Sequence, residues 1–246
     1  MAAPPDAQPP TRRAERRAAT TAEIKLRARA QLAEAGTGGL SLRAIAREMR
    51  MAPAALFRYF DSQSALITAL CVDAYDAMAD AMVAAQPTAE ADPAGHWRAI
   101  CVAARGWALA NPGEFALING TPIPGYQAEP DQTGPASGRV VNVLASAYLA
   151  AIAAQVADPA ATDVPALSAG PLLMGDEAMP DTPIPGVLIN AWASILGFIA
   201  AEVFGSLRHL INDVDALYDS HITTVMRGMG YRLDRTTGTR PMDAKA

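Results

Sequence analysis

The stretch from Ser41 to Phe60 constrains this chain more than any other. Leu42, Ile45, Ala46 and Met49 fall at i, i+3, i+4 and i+7, one apolar stripe of a helix. Ser41 stands just before that helix, where its hydroxyl can cap an unpaired amide. Arg43, Arg47 and Arg50 recur at nearly helical spacing on another face, which is therefore basic. Pro53 cannot continue the first helix and suits the opening position of a second. In that second helix Leu56 and Phe60 lie one turn apart and can pack back on the first, leaving Ala55, Arg58 and Tyr59 to project elsewhere. A short helix pair with one buried face and one basic, aromatic-bearing face is a helix-turn-helix, the device that sets a helix into the DNA major groove.

Charge supports that reading. The formal net charge of -5 conceals an asymmetry: residues 1–60 carry 11 Lys/Arg against 5 Asp/Glu, and residues 61–246 carry 9 against 20. A basic end on an acidic body is the footprint of a nucleic-acid-binding head with a different task behind it. At 246 residues there is material for one large domain or two modest ones, and the Ala-rich, β-branch-poor stretches favour helix. Cys71 and Cys101 lie far apart within apolar helical patterns and read as two reduced core thiols. No apolar run near the N-terminus reads as a secretory signal, so the expected location is the cytoplasm.

Residues 1–20 read as a disordered basic arm. Arg12, Arg13, Arg16 and Arg17 cluster there, either as a solvated tail or as an arm that touches phosphates or enters the minor groove. A first helix is expected from Thr21 to Ala35, with Ile24, Ala28, Leu32 and Ala35 inward and Gly36 as its stop. After Phe60, Asp61-Ser62 caps a long helix to about Ala85, with Leu66, Leu70, Cys71, Tyr75, Met78 and Met82 inward. Asp73, Asp76 and Asp80 share its opposite face and read as a solvated acidic surface. Further helices are expected at 93–110, 114–119, 135–157, 187–204 and 213–229. The connection 158–186, rich in proline, reads as a mobile flap over a ligand cavity, within reach of Met174. Residues 187–204 are apolar nearly all round. Asn190, Ser194 and Glu202 would sit badly in lipid, so burial against both a core and a partner is preferred to a membrane span.

The sequence offers little to a catalyst. His96, His209 and His221 lack metal-ligand spacing, and no nucleophile elbow or phosphate loop occurs, so neither enzyme, metal nor cofactor is expected. Large side chains do gather in the C-terminal part. Trp97, Cys101, Trp107, Phe115, Tyr148, Met174, Trp192 and Phe198 are candidates to line a pocket for an apolar or mildly polar ligand.

Ile45-Ala46, then the run Leu56, Phe57, Arg58, Tyr59, Phe60, then Ser64-Ala65-Leu66 resemble the DNA-binding domain of TetR-family transcriptional regulators. The phrase Asn111 to Phe115 with Gly120 and Pro124-Gly125-Tyr126 resembles, less specifically, an actinobacterial-type subgroup of that family's C-terminal domains. The head resemblance implies that Arg43 reaches a base edge or phosphate, and that Ser41 and Tyr59 hold phosphates. Ala55 and Phe57 would make apolar groove contacts, and Arg58 would reach base or backbone. The chain departs from the family pattern in having Arg50 where Gly is common, Phe57 for Tyr, and Gln63 for a phosphate-binding Lys.

The expectation is an all-α protein: a three-helix N-terminal helix-turn-helix head and a larger helical C-terminal ligand-binding and dimerisation domain. Residues 1–20 are the arm, 21–66 the head, 67–232 the second domain and 233–246 a flexible tail. The resemblance implies a homodimer on a palindromic double-stranded DNA operator, released by a small-molecule effector, with no membrane partner. The alternative is a constitutive helix-turn-helix protein without an effector.

Overall fold

A computed structural model describes residues 11–86, 92–120, 123, 125–170 and 180–233. Among the described residues there are nine α-helices and no strand beyond isolated bridges. They are α1 (Arg12–Ala35), α2 (Leu42–Glu48), α3 (Pro53–Leu56), α4 (Gln63–Ala84), α5 (Pro93–Ala110), α6 (Pro112–Asn119), α7 (Pro130–Ala153), α8 (Ile184–Val203) and α9 (Val214–Gly228). The fold divides into two units, Met1–Ala77 with Ala110–Ser137, and Met78–Leu109 with Gly138–Ala246. A cut after residue 66 therefore misses two things: α4 runs on within the first unit to Ala77, and α6 belongs to that unit too.

The first unit is built on one apolar cluster. Ile24, Ala28 and Leu32 of α1 meet Leu42, Ile45 and Ala46 of α2, Leu56 of α3, Phe60, and Leu66, Ile67 and Leu70 of α4. Helices as short as α2 and α3 do not persist alone in water, so this shared burial holds them. The expected capping holds too. The Ala44 N–H donates to Ser41 Oγ at 3.3 Å, and Ser62 Oγ accepts from the Ala65 N–H at 3.0 Å. Gly36 ends α1 at φ 66°, ψ -171°, backbone that is open in practice only to glycine.

Helix α6 packs against α1. At Gly113 a Cβ would stand 3.2 Å from the main chain of Leu32 and Ala33, so the small residue permits that approach. Ion pairs fasten the same contact. Arg29 of α1 donates to Glu114 of α6 at 2.6 Å and to Asp73 of α4 at 2.7 Å, and Lys25 reaches Asp73 at 2.7 Å.

Three expectations need correction. First, the helix expected from Thr21 begins nine residues earlier, at Arg12, so residues 12–20 are not a disordered arm. Thr11 caps it by accepting from the Ala14 N–H, and Ala14, Glu15, Ala18 and Ala19 are good helix formers. Second, α7 starts at Pro130 rather than Pro135. Pro130 and Asp131 suit a first turn, and Pro135 is carried inside the helix. Third, the acidic face of α4 is not simply solvated: Asp73 is bound as above, and Asp80 pairs with Arg139 at 2.6 Å.

The second unit buries Trp97, Ile100, Cys101 and Ala104 of α5 and Val140, Leu144, Tyr148 and Ala151 of α7. Val187, Leu188, Ala191, Ile195 and Ile199 of α8 and Tyr218, Ile222 and Met226 of α9 join them. By length and composition α7 and α8 could each cross a membrane. The inward row of α8, Val187, Leu188, Ala191, Ile195 and Ile199, is buried in the unit's core and accounts for part of that apolarity. Its other side leaves Ile189, Ala193 and Gly197 exposed. A polar clamp ties α5 to α8 and α9. Arg105 makes two bonds to Glu202, at 2.7 and 2.6 Å, reaches Asp215 at 2.6 Å, and lies 5.0 Å over the Tyr218 ring.

Candidate nucleic-acid interface

The helix pair presents what its burial leaves over. With Leu42, Ile45, Ala46, Leu56 and Phe60 turned inward, Arg43, Arg47, Arg50, Phe57 and Arg58 are exposed. Ala55, Ser41 and Tyr59 are half-buried. Phe57 exposes 46 % of its surface and so offers an apolar face outward. Among the described residues none of these arginines forms an ion pair, so their charge faces outward.

The turn between the helices has a definite geometry. The Arg50 N–H donates to the Arg47 carbonyl at 3.1 Å and the Met51 N–H to the Ala46 carbonyl at 2.8 Å. That pair of bonds is a Schellman stop, whose left-handed residue is usually glycine. Here it is Arg50, at φ 53°. Gln63, where the resembled family carries a phosphate-binding lysine, instead donates its side-chain amide to the Leu40 carbonyl at 3.0 Å. It ties the start of α4 to the loop before α2.

Sequence reasoning missed the role of Arg17. Its guanidinium donates to the Arg58 carbonyl at 2.9 Å and lies 5.3 Å over the Tyr59 ring. The contact spans 41 residues, and no local pattern announces it.

The aromatic candidates separate by unit. Phe115 is fully buried on α6, which belongs to the first unit, whereas the other described candidates belong to the second. Met174 lies outside the described residues. Trp97, Cys101, Trp107 and Tyr148 are buried within the second unit, and Trp192 and Phe198 are half-buried on α8. Trp97 and Tyr148 meet edge to face at 6.5 Å, and Tyr148 and Tyr231 lie 6.0 Å apart. Phe198 stacks on His221 at 5.0 Å and touches Tyr218.

Hydroxyl groups in this cluster differ in what they meet. Tyr148 donates to the Met229 carbonyl at 2.7 Å and Tyr218 to the Cys101 carbonyl at 2.8 Å. Nε1 of Trp97, Oη of Tyr231 and Nε2 of His96 are buried with no hydrogen-bond partner among the described residues. Burial pushes the Tyr148 phenol up to about 12, helped by the charge of Asp158. Burial likewise raises Tyr218, Tyr231 and the Cys101 thiol, so all stay neutral and Cys101 is no nucleophile. No group of three metal-ligating side chains occurs among the described residues.

Comparisons with known proteins place this geometry. Residues 26–70 match the model for bacterial regulatory proteins of the tetR family, and residues 97–225 match the tetracyclin repressor-like C-terminal domain. An HTH-type transcriptional regulator of Mycobacterium tuberculosis (strain H37Rv) is 36 % identical over 218 residues, 85 % of this chain and 92 % of its own length. Among solved structures, SCO4313, a protein assigned a regulatory role, superposes with TM-score 0.66 at 29 % identity over 89 % of this chain and 100 % of that one. A TetR variant of Acinetobacter baumannii AYE, solved in complex with minocycline, shares the fold at TM-score 0.52 and 14 % identity, over 83 % and 93 % of the two chains.

Proposed function

The chain belongs to the TetR family of bacterial transcriptional regulators, and on that premise we propose that it is a ligand-responsive repressor acting in the cytoplasm. It is not an enzyme; its work is done by binding. A homodimer would set two heads into successive major grooves, about 34 Å apart, on an inverted-repeat operator. In each head Arg43 reads a base edge or holds a phosphate. Ala55 and Phe57 meet apolar groove surface such as a thymine methyl, and Arg58 reaches base or backbone. Ser41 and Tyr59 orient the head on phosphates. The observation that carries this reading is the outward set of Arg43, Phe57 and Arg58 over a helix pair whose other side packs into the apolar cluster.

For the effector, the second unit supplies the support. Trp97, Cys101, Trp107, Tyr148, Trp192 and Phe198 offer apolar wall. Leaving a buried donor unpaired costs about 1–3 kcal/mol. The unpartnered Trp97 Nε1 and Tyr231 Oη flank Tyr148, so an effector that is mostly apolar but carries a hydrogen-bond acceptor would offset that cost. The minocycline complex of the Acinetobacter relative is a precedent for a small molecule in this fold. An effector can release DNA only by binding the DNA-competent and incompetent states unequally. The exposed Ile189, Ala193 and Gly197 on α8 suit close helix approach in a dimer.

The test is a gel shift on the DNA flanking the protein's own gene, beside an Arg43→Ala, Tyr59→Phe double variant. A salt-sensitive shift that the variant loses supports the reading. An equal shift by both proteins places the contact elsewhere and removes these residues from the account.

A further inference from the structure

We propose that the first two turns of α1 form a second DNA-contacting element, a helical rail of Arg12, Arg13 and Arg16 that grips phosphates beside the half-site. This rests on the DNA-binding reading above and extends it to a segment that reading does not use.

The placement of these arginines is unfavourable in the free protein. Arg12, Arg13, Arg16 and Arg17 sit at i, i+1, i+4 and i+5 in the opening of α1, and all are exposed. Cations near a helix N-terminus oppose its dipole, at roughly 0.3–1 kcal/mol each. The pairs Arg12/Arg16 and Arg13/Arg17 also repel across one turn. Glu15 is the single acid in the first turn, and Arg12, Arg13 and Arg16 make no ion pair among the described residues. Stability of the free protein does not explain Arg12, Arg13 and Arg16 there. A polyanion alongside does.

The structure supplies the position for one. Arg17 is tied to the Arg58 carbonyl at 2.9 Å and lies over the Tyr59 ring, which fixes this end of α1 to the residues that follow α3. Together Arg12, Arg13, Arg16, Arg17, Arg58 and Tyr59 line an open concavity of about 510 Å³. No carboxylate among the described residues lines it. Arg17 is the strut, and the other three arginines are free to point along the strand.

The helical state also decides the kind of contact. A helix with side chains is about 10–12 Å across, whereas the minor groove is about 6 Å wide. The rail cannot enter that groove as an extended arm does, so it holds the backbone. Phosphate contacts add affinity without reading sequence.

The experiment measures binding to a duplex carrying a selected site, and to a scrambled duplex, across a salt series. Wild type is compared with an R12Q/R13Q/R16Q variant and an R12K/R13K/R16K variant, with helix content checked by circular dichroism. Each lost phosphate contact lowers the slope of log K against log salt by about 0.9. The Gln variant should lose two to three such steps per bound chain and about tenfold or more in affinity, equally on both duplexes. The Lys variant should keep most of the slope. An unchanged slope in the Gln variant, or a loss confined to the selected site, overturns the rail while leaving the helix-turn-helix reading intact. Absence of wild-type binding to either duplex overturns both.

Discussion

Replacing Arg50 by glycine should make this protein more stable. Arg50 occupies the left-handed position of the Schellman stop after α2, at φ 53°, with its N–H bonded to the Arg47 carbonyl and that of Met51 to the Ala46 carbonyl. A residue with a Cβ adopts that backbone at a cost of about 1–2 kcal/mol. Glycine adopts it freely but adds about 0.4–1 kcal/mol of chain entropy to the unfolded state. Arg50 is exposed, so truncation forfeits little packing. The net gain is about 0.5–1 kcal/mol, a rise in Tm of about 1–4 °C for a chain of this size. Thermal melts at one fixed protein concentration measure it, with Arg50→Ala as the control that keeps the strain and should show no rise. The glycine variant should at the same time bind DNA less tightly, because the turn loses a cation. A glycine variant that melts at or below wild type would refute the strain argument, and would mean that the Arg50 side chain holds the turn.

Other consequences can be checked together. Gly230→Ala should cost about 2 kcal/mol or more in chemical denaturation, because its φ is 80° and a methyl there would overlap the Asp158 carbonyl. Glu202→Ala should destabilise by about 2 kcal/mol by leaving the half-buried Arg105 only the exposed Asp215 as a carboxylate partner, whereas Asp215→Ala, at a side chain 86 % exposed, should shift the midpoint by less than about 0.5 kcal/mol. In an alkaline absorbance titration Tyr148 should stay protonated past its ordinary value of 10 and ionise only near 12. Its folded value is raised, so its contribution to stability is complete below pH 10 and lost as pH climbs through 12. Ionisation at an ordinary phenol pH in the folded protein would contradict its burial.

What could be read from the sequence was what short-range chemistry decides. The spacing of Leu42, Ile45 and Ala46, the cap at Ser41, the stop at Gly36 and the break at Pro53 each act within a turn or two, and the folded chain bears them out. Contacts between distant residues were illegible. Nothing near Asp73 in sequence reveals that Lys25 and Arg29 will neutralise it, so the face of α4 read as solvated. Prolines at 4, 5, 9 and 10 and a run of arginines suggested a loose arm through residue 20, while Thr11 and four alanine-or-glutamate positions were enough to start a helix at Arg12. The Arg17 contact with Tyr59, which gives that extension a place to rest, exists only in three dimensions. Phe115 carried the same aromatic signal as Trp97, yet α6 takes it into the first unit. Tyr231, one of the unpartnered buried groups, follows Gly230 just past the last expected helix, and nothing in its sequence neighbourhood marks it as buried.

The central claim is that this helix pair reads DNA as one of two related heads. Selection of purified full-length protein against random-sequence duplexes tests it most directly. The expected result is enrichment of an inverted repeat with half-sites about one helical turn, or a multiple, apart, and loss of that enrichment with Arg43→Ala. Enrichment of no sequence at all, by a protein that circular dichroism shows to be folded, would contradict it.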